Sequence, residues 1–141
     1  MNLGMHVKKC RNDNYGRYGE GLGLDLLNNP DLVENDPVIS FKTAIWLWMT
    51  PRAGRPSSHD VMIGKWVPSE IDIEAGRLPG FGTTINVITP TQCGRPYPDW
   101  WSETAIGYYK RYCDIYRIDY GDNIDCYNQR SYRLDPNLAS I

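Results

Sequence analysis

Several groups of side chains in this 141-residue chain are of types that do chemistry. Glu70 and Glu74 stand one helical turn apart, beside Asp72, in "SEIDIEAG". Paired carboxylates can carry out acid–base cleavage of glycosidic bonds, and inverting enzymes hold them about 6.5–9.5 Å apart. With seventeen Asp and Glu in the chain, acid pairs arise by number alone, and a solvated helix face is the plainer reading. Ser57-Ser58-His59-Asp60 has the residue types of a nucleophilic triad. A triad is assembled from separated positions, so Ser57 and Ser58 are read as helix caps instead. Arg52 and Arg55 flank a glycine in "RAGR", where they can bind sugar hydroxyls or acetamido oxygens; solubility explains them equally well. Cys10, Cys93, Cys113 and Cys126 show no C-x-x-C spacing, and His6 and His59 are isolated. No metal site or cofactor is expected, and spacing alone does not pair the cysteines.

The elements that must position these groups follow from local signals. The glycine-punctuated "RNDNYGRYGEG" is expected to be a loop. Residues 25–36 read as a short helical turn and a loop. Asp36 followed by Pro37 marks a helix start, and Pro51 ends that helix. Val38, Ile39, Ala44, Ile45, Trp48 and Met49 almost encircle it, which predicts a buried central helix. A short helix is expected over 60–66. Ser69 with Asp72 resembles a capping box and Gly76 a stop, favouring helix over strand between them. "FGTTINVIT" is ambiguous. Asp99 or Ser102 caps a last helix with Ala105, Ile106, Tyr109, Tyr112, Cys113 and Tyr116 on one face. The tail from Tyr120 reads as loop.

Composition bounds the class. The length fits one domain, and 41% apolar residues can supply a core. The net charge of −2 leaves no basic footprint for nucleic acid. No apolar run approaches the ~20 residues of a membrane span, and "MNLGMHVKKC" has no apolar segment of the secretory type. Ten Tyr and five Trp against two Phe suit both ordinary cores and carbohydrate surfaces, where such rings stack on sugar and hydrogen-bond at their edges.

"LLNNPDLVENDPVISFKTAIWLWMTP", "PSSHDVMIGKWVPSEIDIEAGRLPGFG" and "YYKRYCDIYRIDYGDNIDCYNQR", in this order, resemble the plant-type chitinases of glycoside hydrolase family 19. The resemblance covers residues 12–132, leaving 1–11 as an unmatched leader and 133–141 as a tail. It implies a mainly α, loop-rich, lysozyme-like fold, present here in its C-terminal portion. It also implies an endochitinase activity, inverting hydrolysis of β-1,4-linked N-acetylglucosamine polymers, in chitin catabolism, cell-wall turnover and defence. The family's catalytic acid and base are glutamates in its N-terminal half, the acid in a His-Glu-Thr motif. No residue of this chain matches them, so the chain alone is expected to be inactive.

Other family positions carry over singly. Asn14 matches an Asn that helps hold the attacking water, while Cys10 and Asp13 stand where the family has a Ser and a Tyr. Arg52 and Arg55 fall where a Gln and a Lys contact sugar. Asn86 is kept, a sugar-contacting Asn becomes Thr89 and a Glu becomes Gln92, and all three are taken with Arg52 and Arg55 as substrate-binding positions. An Arg that pairs with the acid falls near Ala105, and losing both charges would alter the acid's pKa. Trp100 and Trp101 are extra aromatics that either stack on glycan or cover the core. The resemblance pairs Cys93 with Cys126 and leaves Cys113 as a free buried thiol. It implies an extracellular or vacuolar monomer with chitin or its oligosaccharides as partner. Besides the enzyme, a non-catalytic glycan-binding protein and an unstable gene fragment remain open.

Overall fold

The computed structural model describes residues 12–52 and 54–135. Its contacts divide the chain into two compact units, Met1–Met49 and Thr50–Ile141. The break falls in a stretch where Pro51, Gly54 and Pro56 disfavour helix. The mainly α expectation holds: among the described residues there is no strand, only an isolated bridge between Arg52 and Arg55.

The first unit contains helices α1 (Asn12–Leu22), α2 (Leu32–Asn35) and α3 (Pro37–Met49). The expected opening loop is therefore helix α1. Glycine costs a helix about 1 kcal/mol per position, but here it allows close packing. A Cβ on Gly21 would lie 2.1 Å from Nε1 of Trp46. Tyr15 and Tyr18 form the unit's core with Leu26 and Val33, and Tyr18 meets Trp46 edge to face at 5.2 Å. Asp36 starts α3 as expected, its Oδ1 accepting from the N–H groups of Val38 and Ile39 at 2.8 and 3.2 Å.

Helix α3 is not buried all round. Thr43 is buried, and Ile39, Trp46 and Leu47 pack against the unit's core, while Val38, Phe41, Ile45 and Met49 are exposed. Those four recur at i, i+3, i+7 and i+11, so they form one stripe. Apolar residues around a helix in sequence do not fix how many neighbours it has, and within this unit α3 has them on one side.

The second unit contains α4 (Ser58–Met62), α5 (Glu70–Glu74), α6 (Phe81–Ile88), a 3₁₀ turn at Pro90–Gln92, α7 (Trp100–Tyr116) and a second 3₁₀ turn at Tyr132–Leu134. The caps fall where the sequence puts them. Ser57 Oγ accepts from Asp60 N, Ser69 and Asp72 form a reciprocal capping box, and Asp99 Oδ1 accepts from Trp101 N. Helix α4 is shorter than expected, ending at Met62. The ambiguous "FGTTINVIT" resolves as α6, buried from Gly82 to Val87. On α7, Ile106 and Cys113 face inward, but Tyr112 and Tyr116 are exposed, so the buried face is narrower than its apolar pattern.

Ile85, Cys93, Ile106 and Cys126 form the core here, with Phe81, Ile124 and Tyr127 packed against it. Cys93 and Cys126 are disulfide-bonded, with Cα atoms 5.1 Å apart, and Cys113 is a free buried thiol, as the resemblance implies. Segment 122–125 crosses the start of α6, where Gly82 N donates to Asn123 O at 2.8 Å. A Cβ on Gly82 would lie 1.8 Å from Asp125 O, inside contact distance with backbone.

Two stability changes are expected. Gly82→Ala forces the 122–125 backbone away from α6 and lowers unfolding free energy by about 2–3 kcal/mol, read by urea titration. The disulfide closes a 33-residue separation, so a Cys93→Ala, Cys126→Ala double variant loses about 3–4 kcal/mol in the chain-entropy model. A melt unchanged by reductant would contradict the second expectation.

Candidate functional site

The C-terminal end of α6 brings together Arg55, Thr89 and Gln92, with Arg52 paired to Arg55. Arg52 N donates to Arg55 O at 3.2 Å, and Arg55 N to Arg52 O at 2.9 Å. Residues that exchange both backbone hydrogen bonds carry their side chains on the same face. Arg55 Nη1 donates to Val87 O at 3.3 Å. Two residues further on, Thr89 Oγ1 lies 3.0 Å from Gln92 Oε1 and 3.2 Å from Ile85 O, two acceptors that share its one proton. All four side chains are half-buried. Burial and the positive charge of Arg52, then of Arg77, hold the Arg55 guanidinium below its ordinary value, against an opposing pull from Tyr132. The Nε atoms of Arg52 and Arg55 are buried without a hydrogen-bond partner.

Under this cluster lies a support that the sequence reading missed. The Tyr132 ring is 5.6 Å from the Arg55 guanidinium and 4.2 Å from that of Arg77. Arg77 is 1% exposed. Its Nε donates to Asp72 Oδ1 at 2.8 Å, Nη2 to Asp135 Oδ2 at 2.9 Å, and Nη1 to Arg130 O at 3.3 Å. Tyr132 OH donates to Asp72 Oδ1 at 3.3 Å. Burial and the Asp72 carboxylate push the Tyr132 phenol well above its ordinary value, so it remains a donor. Asp72 is thus a cap and an ion-pair partner rather than a catalytic acid, while Glu70 and Glu74 are exposed.

Asn86 requires a correction. It was expected to touch sugar, yet it is 0% exposed. Its Nδ2 donates to Gln129 Oε1 and Arg130 O, both at 3.2 Å, and its Oδ1 accepts from Tyr132 N at 3.0 Å. Those bonds use both ends of the amide to fasten the segment at 129–132 onto α6, leaving no surface for a ligand.

Trp100 and Trp101, 68% and 49% exposed, do not cover the core. They meet edge to face at 4.8 Å in the first turn of α7. An Arg95–Asp99 ion pair of 3.2 Å braces the preceding loop. Ala105 is half-buried on α7. In the first unit Asn14 is half-buried in the first turn of α1. Cys10 and the Asp13 side chain lie outside the described residues. At the other end of α6 a groove of about 400 Å³ is lined by Val61, Pro79, Phe81, Tyr109 and Tyr120 among others, and contains none of the expected site residues.

The helical units and the order of their sequence blocks define a glycoside hydrolase scaffold of lysozyme-like type. The class I chitinase family profile matches residues 5–126, beginning inside the leader that the resemblance left unmatched, and the chain belongs to that family. It is 57% identical over 131 residues to Endochitinase A2 of Pisum sativum, covering 92% of this chain and 40% of the relative. It is 56% identical over 124 residues to Inactive chitinase-like protein 1 of Hevea brasiliensis, covering 87% of this chain and 39% of the relative. The crystal structure of chitinase C from Streptomyces griseus HUT6037 matches with a TM-score of 0.65 at 28% identity, over 82% of this chain and 41% of that one. The chain therefore spans about 40% of the length of curated relatives it matches.

Replacing Arg77 by Met removes the cation that pairs with Asp72 and the buried Asp135 and is expected to lower stability by about 3–5 kcal/mol, measured by urea unfolding. Acid adds a second reading. Burial alone would raise Asp72, but hydrogen bonds from Ser69 and Arg77 hold it below its ordinary 3.8. A depressed carboxylate stabilises the fold above its unfolded value and loses that contribution as pH falls through its folded value. The thermal midpoint should therefore drop as pH is taken below 3.8, and Asp72→Asn should flatten that limb.

Proposed function

We propose that this chain is the part of a chitinase-type domain that holds β-1,4-linked N-acetylglucosamine polymers, and that residues 1–141 by themselves hold the glycan without cleaving it. The observation that carries the binding half is the gathering of Arg52, Arg55, Thr89 and Gln92 at one end of α6, at positions where the family resemblance expects sugar contacts. A half-buried cluster of donors and acceptors on a braced support suits saccharide hydroxyls and acetamido groups. The exposed Trp100–Trp101 pair adds apolar faces of the kind that stack on sugar rings. The non-cleaving half is supported by the sequence, which has no counterpart of the family's His-Glu-Thr acid. In a longer polypeptide that supplied both glutamates, Asn14 would serve as the water-positioning residue. Relatives named as an endochitinase and as an inactive chitinase-like protein are about equally similar, so identity does not separate the two roles. The Cys93–Cys126 bridge favours an oxidising compartment, outside the cell or in the vacuole.

The test uses the oxidised 141-residue chain on chitin beads. Retention is expected, and a Trp100→Ala, Trp101→Ala double variant should weaken it by about tenfold, the scale of lost aromatic stacking. A folded chain that washes through would end the binding reading. Release of chitooligosaccharides above a blank would end the non-cleaving one.

A further inference from the structure

The Arg52–Arg55 pair points to a ligand of different charge from neutral chitin. Arg52 and Arg55 occupy directly opposed positions of a two-bond bridge, which puts their side chains on one face. Like charges at directly opposed positions repel, and among the described residues no ion pair involves either arginine. The nearby carboxylates are already engaged, since Asp72 and Asp135 are paired with Arg77. The chain as a whole is slightly acidic, with a net charge of −2, so this is a local concentration of positive charge and not part of a general basic surface. The electrostatic cost is visible in Arg55, held below its ordinary value by burial and by Arg52. Both Nε donors are buried and unpartnered, which is costly for a polar group.

We infer that Arg52 and Arg55 form a subsite for the carboxylate of an acidic sugar, a uronate residue within a β- or α-linked oligosaccharide; the inference rests on the glycan-holding reading above and extends it to charged glycans. A neutral acetamide offers one carbonyl oxygen. A carboxylate offers two oxygens and a full negative charge, which matches paired guanidinium forks and relieves their repulsion. The half-buried setting matters because it screens less than open solvent. Thr89 and Gln92, at the same end of α6, supply hydroxyl and amide groups for the neighbouring ring hydroxyls. The Tyr132 face behind Arg55 restricts its motion, so less conformational entropy is lost when the ligand is bound.

Calorimetric titration of the oxidised 141-residue chain with tetragalacturonate, with chitotetraose and with inorganic phosphate tests this. Tetragalacturonate should bind about tenfold more tightly than chitotetraose at low salt, the difference between charge-assisted and neutral hydrogen bonds. That advantage should shrink as sodium chloride is raised from about 25 to about 200 mM. Arg52→Gln should abolish the preference, bringing the ratio of the two affinities to about one and removing its salt dependence. Arg52 is the chosen position because its Nε has no hydrogen-bond partner among the described residues and no ion pair there involves it, whereas Arg55 is tied to Val87 O; a thermal melt of Arg52→Gln verifies folding. Chitotetraose bound as tightly as tetragalacturonate overturns the inference and leaves the glycan-holding reading standing. No binding of either overturns both. Phosphate binding as tightly as the tetramer reassigns the pair to free anions and overturns the uronate subsite.

Discussion

A guanidinium taken out of water must be neutralised and hydrogen-bonded where it sits, and the residue 50–135 region is arranged around that demand at Arg77. Two carboxylates, a main-chain carbonyl and an aromatic face surround it. The partners come from two distant stretches: Asp72 from α5, and Arg130, Tyr132 and Asp135 from the last 3₁₀ turn and the residues beside it. A buried ion pair need not add net stability over an apolar core, but removing one member is severe. Arg77 thus ties these two stretches together through four contacts that all meet at one side chain.

The candidate site inherits its geometry from this arrangement. Tyr132 has its ring close to both Arg77 and Arg55, donates through its hydroxyl to Asp72, and donates through its backbone N–H to Asn86. Arg55 thus rests on a side chain fixed at its ring, hydroxyl and backbone N–H. Thr89 and Gln92 are set by the end of α6, whose start is locked by the crossing backbone at Gly82. The candidate site groups lie on a turn and a helix end, while the parts that fix them are interior.

How much of this was legible in the sequence follows from how far each cause reaches along the chain. Asp36 with Pro37, Ser69 with Asp72, and Asp99 act within a few residues, and their helices begin as expected. Family resemblance supplied what local rules cannot, the Cys93–Cys126 pairing. What failed depends on distant partners. The glycines of α1 read as loop because the Trp46 ring that accommodates Gly21 belongs to another helix. Asn86 read as a ligand contact because its partners at Gln129 and Arg130 lie 43 and 44 residues away. Arg77 attracted no notice, since an arginine after a helix stop is ordinary and its carboxylate at Asp135 is 58 positions distant. The exposed stripe of α3 was missed for the opposite reason: its pattern is local, but burial needs neighbours that a pattern does not count.

The 58-residue span between Arg77 and Asp135 also imposes an order in time. A ribosome releases Arg77 long before Asp135, so a nascent chain holds a cation whose second counter-charge has not been made. Helices α5 to α7 can form as they emerge, but the interior that Arg77 occupies closes only when the final 3₁₀ turn is free. Folding of this region then waits for residue 135 to emerge, with loop-closure entropy opposing it until then. A chain stopped short of residue 135 keeps nearly all of its helices and lacks the charge that allows them to shut.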